Sequence, residues 1–351
     1  MSAAYPSGSN TFVKDHQATG GLVVDFSRNV DDFALNRYVQ IRPVRKESGY
    51  YLEMTVEEAG RVLHSDLADF VWPDGQDRPS HPDGTESFRF REYRTERFDY
   101  GFVLGDKAID QADWDVLESH GRIKAQQAMT ARTQRAVAAM TSAAAYDASH
   151  VADVADIEGA TGAWSDSTVD TQDVRRSLAF AASLIRKDTL GVVKTRDLRL
   201  ILGPDVARKI ALAPEIVEYV AHSERATAQV RGLAPGRNAD YGLPDYLYGV
   251  EVVVEDAVKV TSRKGAASVQ RTYLMPDDVA ILVSRPGDLV SPGGGPTFST
   301  LMLLAYEEMA VETLYDQRNR RTEGHVVDDL AVVMTAPATG FLFQGVTTTA
   351  A

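Results

Sequence analysis

The densest group of side chains able to do chemistry is a run of four arginines, Arg89, Arg91, Arg94 and Arg97, interleaved with Phe88, Phe90, Tyr93 and Phe98. Cations alternating with aromatic rings on an extended segment are one way to grip single-stranded nucleic acid, since guanidinium groups meet phosphates and rings stack on bases. Glu86, Glu92, Glu96 and Asp99 lie among them, so the local charge nearly cancels. A strand of alternating sign fits a contact between protein chains, where opposite charges fix register. Phe88, Phe90 and the four arginines are therefore the candidate inter-subunit contacts, with acidic partners expected on neighbouring chains.

Other reactive constellations are sparse. The chain lacks a GxxxxGK[ST] loop, a GxSxG elbow and an HExxH pair. Its histidines (16, 64, 81, 120, 150, 222 and 325) keep no ligand spacing. Asp74, Asp77 and Asp83 could share a calcium ion with loop carbonyls, but they depart from the EF-hand interval and read as a solvated acidic turn. Gly293-Gly294-Gly295 could cradle a phosphate. No lysine follows it and Pro292 and Pro296 flank it, so a loop entering a strand is the better reading. Zero cysteine removes disulfides, thiolate metal sites and cysteine nucleophiles together, and fits a reducing cytoplasm. The expectation is a chain with no catalytic residue, no metal and no cofactor, and not an enzyme. A formal net charge of -13 also argues against a protein whose main task is holding phosphates.

The elements that position these residues are legible in outline. With 351 residues, 44% hydrophobic and 25% charged, the chain can bury a substantial core. No apolar run is long enough to span a bilayer, and the first residues lack the basic and apolar regions of a signal peptide. Residues 1–33 are rich in Ser, Gly, Asp and Asn and read as a flexible arm. A strand-like run at 37–44, a turn at 46–49 and a second run at 50–54 follow. Thr55-Val56-Glu57-Glu58 has capping-box spacing for a short helix to about Leu63, and Pro-Asp-Gly turns mark a loop at 72–84. In the next arm, Phe88, Phe90, Phe98, Tyr100 and Phe102 are expected on one strand face, with Arg89, Arg91, Arg97 and Asp99 on the other.

Residues 113–146 then read as one helix of about 50 Å at 1.5 Å per residue. Ala125, Met129, Ala136, Met140 and Ala143 form a narrow stripe along it. Such a stripe packs closely on a sheet or another helix, which makes Met129, Ala136 and Met140 the candidate packing residues. Beyond it, helices are expected at 170–186, 205–212 and 215–221, the last two separated by Pro214. Strands are expected at 198–202, 250–254, 279–283, 309–315, 330–334 and 341–343. The class is α+β.

In this order and spacing the residues resemble the major capsid proteins of tailed bacteriophages, with the Hong Kong 97 (Johnson) fold, from about residue 37 to the C-terminus. The segments that carry the resemblance begin with Val39-Gln40-Ile41-Arg42-Pro43-Val44, the arm at 87–100 and the segment at 105–115. Arg122-Ile123-Lys124 through Met140, Trp164-Ser165-Asp166-Ser167 and Leu200-Ile201-Leu202-Gly203-Pro204 continue it. Ala213-Pro214-Glu215-Ile216, Leu247-Tyr248-Gly249-Val250 and the tail at 329–343 complete it.

The resemblance implies an N-terminal arm (1–36), an extended loop built as a β-hairpin (37–105) and a peripheral domain (106–163) with its spine helix at 113–146. An axial domain (164–300) and return strands of the peripheral domain (301–351) would follow, with no separate scaffolding domain before the arm. It implies a structural protein that self-assembles through pentamers and hexamers into an icosahedral head enclosing double-stranded DNA. The implied partners are itself, a portal protein, scaffold and decoration proteins where these are used, and DNA contacted non-specifically, with no membrane. The implied location is the virion, after assembly in the host cytoplasm. A nanocompartment shell enclosing a cargo enzyme shares this fold and is the alternative; an acidic cytoplasmic enzyme is a third class that the empty motif search disfavours. In the phage that names the fold, a loop lysine forms an isopeptide bond with a neighbour's asparagine. Between Lys46 and Lys107 this chain has no lysine, and a guanidinium cannot replace the amine as a nucleophile.

Overall fold

The computed structural model describes residues 30–57, 71–72, 74–75, 90–112, 115–221, 237–263, 268–285 and 299–348. The expected arm to residue 29, and the short helix beyond Glu57, lie outside them.

Two sheets organise the chain. The first has four strands in the order β1 (Gln40–Pro43), β12 (Leu301–Asp316), β13 (Arg321–Met334) and β4 (Glu96–Gly105). β1 runs parallel to β12, and the other pairs are antiparallel. The hairpin β12–β13 turns at residues 317–320, where Asp316 accepts from the Arg318 and Asn319 amides. Sequence reading expects two separate strands within residues 301–334; the structure has two long ones, because the polar stretch 306–316 continues the ladder past the core.

One face of this sheet carries helix α1 (Val116–Met140). Asp115 caps its start by accepting from the Glu118 amide at 2.9 Å. The helix expected over 113–146 is shorter: 25 residues, or roughly 37 Å. Thr141 turns its hydroxyl back onto the Val137 carbonyl at 2.8 Å, Ser142 adopts extended backbone, and Ala143–Ala145 make a single 3-10 turn. Tyr146 then folds back so that its hydroxyl donates to the Met140 carbonyl at 2.9 Å, satisfying one of the carbonyls the helix end leaves open. Ala143 is consequently exposed and off the stripe, and Ala125 is half-buried. The buried surface is wider than the sequence suggests: Ala128, Arg132, Thr133 and Val137 are buried alongside Met129, Ala136 and Met140.

Phe33, Leu35 and Tyr38 pack into this same core, so the last residues of the expected arm at 1–36 belong to the folded body. β1 and β4 likewise belong to the four-stranded sheet and not to a free loop over 37–105.

The second sheet has six strands: β5 (Val151–Asp153), β14 (Phe341–Gln344), β11 (Ala280–Ser284), β6 (Leu198–Leu202), β8 (Val250–Val254) and β7 (Tyr246–Leu247), in that order. Its central strands are apolar on both faces, as strands covered on both sides must be. Leu200, Leu202, Val252, Val254, Leu282, Phe341 and Phe343 join the core under α2 (Asp173–Asp188), α3 (Pro204–Ala211) and α4 (Pro214–Ala221). Ile201, Val253, Ile281, Val283 and Leu342 face the core shared with α1. β14 thus joins this sheet and does not return with β12 and β13 to the first, because Phe341, Leu342 and Phe343 need cover on both sides.

The start of α2 depends on α4. Gln172 precedes it with left-handed backbone at φ 49 and makes no side-chain cap. The buried Glu215 carboxylate accepts instead from the Val174 and Arg175 amides, each at 3.1 Å, from Ser167 Oγ and from the Tyr248 hydroxyl at 2.6 Å. Burial first, and then this bond to Glu215, push the Tyr248 hydroxyl pKa up. Replacing Glu215 by alanine strands several buried donors, so unfolding should become easier by about 3 kcal/mol, read as a shift of the urea midpoint.

Candidate assembly site

The described contact residues, Phe90, Arg91, Arg94 and Arg97, sit on two connected strands. β2 (Ser48–Leu52) and β3 (Phe90–Arg94) form an antiparallel ribbon in which Tyr50 opposes Glu92 and Leu52 opposes Phe90. Tyr51 and Tyr93 point inward and pack, with Val44, on Met302, Leu304, Ala331 and Val333. This is the sheet face opposite α1. The alternation therefore turns Tyr50 and Phe90 outward, 73% and 61% exposed. Gly49 lets the strands close, since a Cβ there would lie 3.0 Å from the Tyr93 ring.

At Thr95 the chain passes from ribbon to sheet. The buried Thr95 amide donates to the Glu47 carbonyl at 2.8 Å, and β4 begins pairing with β13 at Glu96. Within β4, Phe98, Tyr100, Phe102 and Leu104 are half-buried, facing α1, where the Arg135 guanidinium lies 4.1 Å from the Phe98 ring centroid. The single aromatic face expected from residue 88 to 102 is thereby broken at Thr95: Phe90 faces outward and Phe98 inward.

The arginines separate in the same way. Arg91 turns in and pairs with the buried Glu53 carboxylate at 2.7 Å, and Arg97 lies 3.4 Å from Asp329 and 4.0 Å from Glu47. These two have carboxylates in their own chain, which corrects the expectation that all four seek partners on neighbours. Arg94 is exposed and makes no ion pair among the described residues. Phe88 and Arg89 lie outside the described residues. Sequence reading had no means of finding Glu53, because the contact follows from strand register.

A second set of charges, missed from sequence, fastens α1 to the sheet. Arg132 reaches Asp328 in a bidentate pair, Nε to Oδ2 at 2.9 Å and Nη2 to Oδ1 at 2.6 Å, with 1% and 0% of the two side chains exposed. Arg135 lies 3.5 Å from the same carboxylate, and Glu308 is 3.4 Å from Arg132 Nη1. Burial alone would lower the Arg132 pKa, but its bonds to Asp328 hold it above the usual guanidinium range; for Arg135 burial prevails and lowers it. The signal available was Asp328-Asp329, two acids inside an otherwise apolar strand run.

Between the sheets, Tyr38 donates to Glu255 at 2.7 Å, and Arg37 and Arg199 both bond the Glu251 carboxylate, at 3.0 and 2.9 Å. Burial would raise the Glu251 pKa, but the two guanidinium groups hold it below the usual carboxylate range.

None of this resembles a reaction centre. His120 bonds the Val116 carbonyl, the buried His150 lies between the Gly340 carbonyl and Asp188, and His325 pairs with Asp99. Asp74 is exposed; Asp77, Asp83 and Gly293-Gly294-Gly295 fall outside the described residues. Among the described residues no group of three His, Cys, Asp or Glu could hold a metal ion, and no helix is long and apolar enough to cross a membrane. A groove of about 490 Å³ lies under the ribbon, floored by Met302, Leu304, Tyr51 and Tyr93 and edged by Arg42, Arg45 and Lys46.

No family model matches the sequence, and no curated protein matches it. Solved structures do. A phage-related protein from Bordetella bronchiseptica RB50 aligns over 90% of this chain and 93% of its own at 14% identity, with a TM-score of 0.58. The mature capsid of bacteriophage PhiM1 and the capsid of cyanophage P-SCSP1u each align over 95% of this chain and 92% of theirs, at 13% identity and a TM-score of 0.52. At these identities the likeness is one of fold, and the chain has the mixed α+β fold of these phage capsid subunits.

Proposed function

We propose that this chain is the major capsid subunit of a tailed phage, a non-enzymatic protein that self-assembles through pentamers and hexamers into an icosahedral head around double-stranded DNA. The observation that carries this reading is the alignment of 95% of the chain with the capsid structures of two phages. The outward Tyr50 and Phe90 agree with it. Within the reading, the arm ends before the buried Phe33, 37–105 is the extended loop with its base in the four-stranded sheet, and 164–300 is most of the axial lobe. The partners are further copies of the chain, a portal, packaged DNA and, where used, scaffold and decoration proteins, and the location is the virion after assembly in the host cytoplasm.

Expression followed by size-exclusion chromatography and negative-stain microscopy tests it. Closed shells or ring-shaped capsomers are expected; a lone monomer at all salt and protein concentrations would overturn it. Particles that hold nuclease-protected DNA when co-expressed with a portal and packaging motor support the phage head, whereas particles that hold only an enzyme cargo support a nanocompartment. Because residues 47–106 contain no lysine, boiling purified particles in detergent should release one band near 38.3 kDa, or slightly below it if the arm is trimmed. A ladder of resistant dimers to hexamers would refute this.

A further inference from the structure

The sheet face opposite α1 is oppositely charged at its two ends. Along β13, residues 323, 325, 327, 329, 331 and 333 share that face by strand alternation. At one end, Ala331 and Val333 floor the region under the ribbon, and Arg42, Arg45 and Lys46 edge the groove beside it. These three cations are exposed and make no ion pair among the described residues. At the other end no element covers the face among the described residues. There Leu314, Glu323 and Val103 stand in one cross-strand row, and Glu312, His325 and Gly101 in the next. Leu314 is 59% and Val103 56% exposed. Asp99, Glu312, Asp316 and Glu323 gather around this end. Asp99 is met by His325, and Asp316 and Glu323 share the guanidinium of Arg321, while Glu312 is exposed and makes no ion pair among the described residues; Arg318 and Arg320 stand in the turn beyond.

One end thus presents an apolar surface edged by three unpaired cations, and the other an apolar surface carrying the unpaired Glu312. Within one molecule the ends cannot meet: residues 304 and 314 pair with residues 331 and 323, eight apart on β13, which is roughly 26 Å at 3.3 Å per residue. Between two molecules they match in both respects, and apolar contact supplies the free energy while opposite charge sets the register. We infer that the acidic distal face of one subunit, centred on Leu314 and Glu312, docks against the cationic groove at Arg42, Arg45 and Lys46 of a second copy. This inference rests on the reading of the chain as a shell subunit, and it names the two surfaces that would join.

Four proteins test the contact: wild type, Arg42→Glu/Arg45→Glu, Glu312→Lys/Glu323→Lys, and a chain carrying all four changes. Each half-variant should keep the wild-type unfolding midpoint within a few degrees while its assembled fraction at 0.1 M salt drops at least tenfold. The four-change chain, and an equimolar mixture of the half-variants, should recover assembly to within about threefold, since screening over a Debye length of about 10 Å leaves close pairs effective. Half-variants that assemble like wild type, or a folded four-change chain that stays as poorly assembled as they are, would overturn the inference. A cross-link separates this from the shell reading. The chain has no cysteine, so Arg45→Cys/Leu314→Cys oxidised with copper phenanthroline can only bridge copies, the two Cα atoms of one copy being far beyond the 7 Å that a disulfide allows. Cross-linked oligomers without shells would keep the contact and sink the shell reading. Shells without cross-links, and indifferent to the charge changes, would do the reverse.

Discussion

Replacing Asp328 by alanine should destabilise the subunit by about 3–5 kcal/mol, the range found when one member of a buried ion pair is removed. Asp328 is the carboxylate on which two helix arginines converge, and its side chain is fully buried. Without it Arg132 keeps a desolvated charge with only the more distant Glu308 as counter-ion. Arg135 retains some exposure and can turn to water, so the larger loss falls on Arg132. Chemical denaturation followed by far-UV circular dichroism would read the change. The Arg132→Met/Asp328→Leu double variant discriminates the cause: with both charges gone and similar volume retained, most of the loss should be recovered. A single variant within about 0.5 kcal/mol of wild type would show that the pair does not fasten α1 to the sheet.

Met140→Asp should be the most damaging change on α1. The side chain is fully buried in a core built from residues 33–39, α1 and both sheets. A carboxylate placed there has no partner, and an isolated buried charge costs several kcal/mol, a large share of a domain's total stability. The expected result is insoluble or unassembled subunit, while Met140→Leu, which conserves volume, should stay soluble with a loss below about 1.5 kcal/mol. Normal particles from Met140→Asp would mean that the helix does not bury this stripe.

Much of the architecture was readable because it rests on local periodicity. The apolar runs at 198–202 and 250–254 had to be covered strands, and Pro214 had to separate two helices. Length was misjudged wherever side chains and not backbone propensity decided. Alanines at 143–145 continue a helical pattern, yet Thr141, Ser142 and the returning Tyr146 close the helix at Met140. The aromatic arm was read as one strand because alternation is continuous through Thr95; only pairing with two different partners, β2 and then β13, reverses which face is wet. Charge pairing was the least legible layer. Arg91 with Glu53 and Arg132 with Asp328 are distant in sequence, and sequence periodicity carries no information on partners that register brings together.

β1, β4 and α1 are all made early, but their sheet cannot exist until β12 and β13, encoded 160 residues or more after the helix ends, have been synthesised. At ~5–20 residues per second the ribosome leaves that gap open for on the order of 10–40 s. Throughout it the helix carries Met129, Arg132, Ala136 and Met140 without the four-stranded sheet that covers them. A nascent chain is therefore unable to present either end of the sheet face opposite α1, so on the shell reading a chain broken off early lacks the contact inferred there. The same delay lengthens the time for which the helix surface needs protection by chaperones. On that reading, completion of translation becomes the licence to assemble.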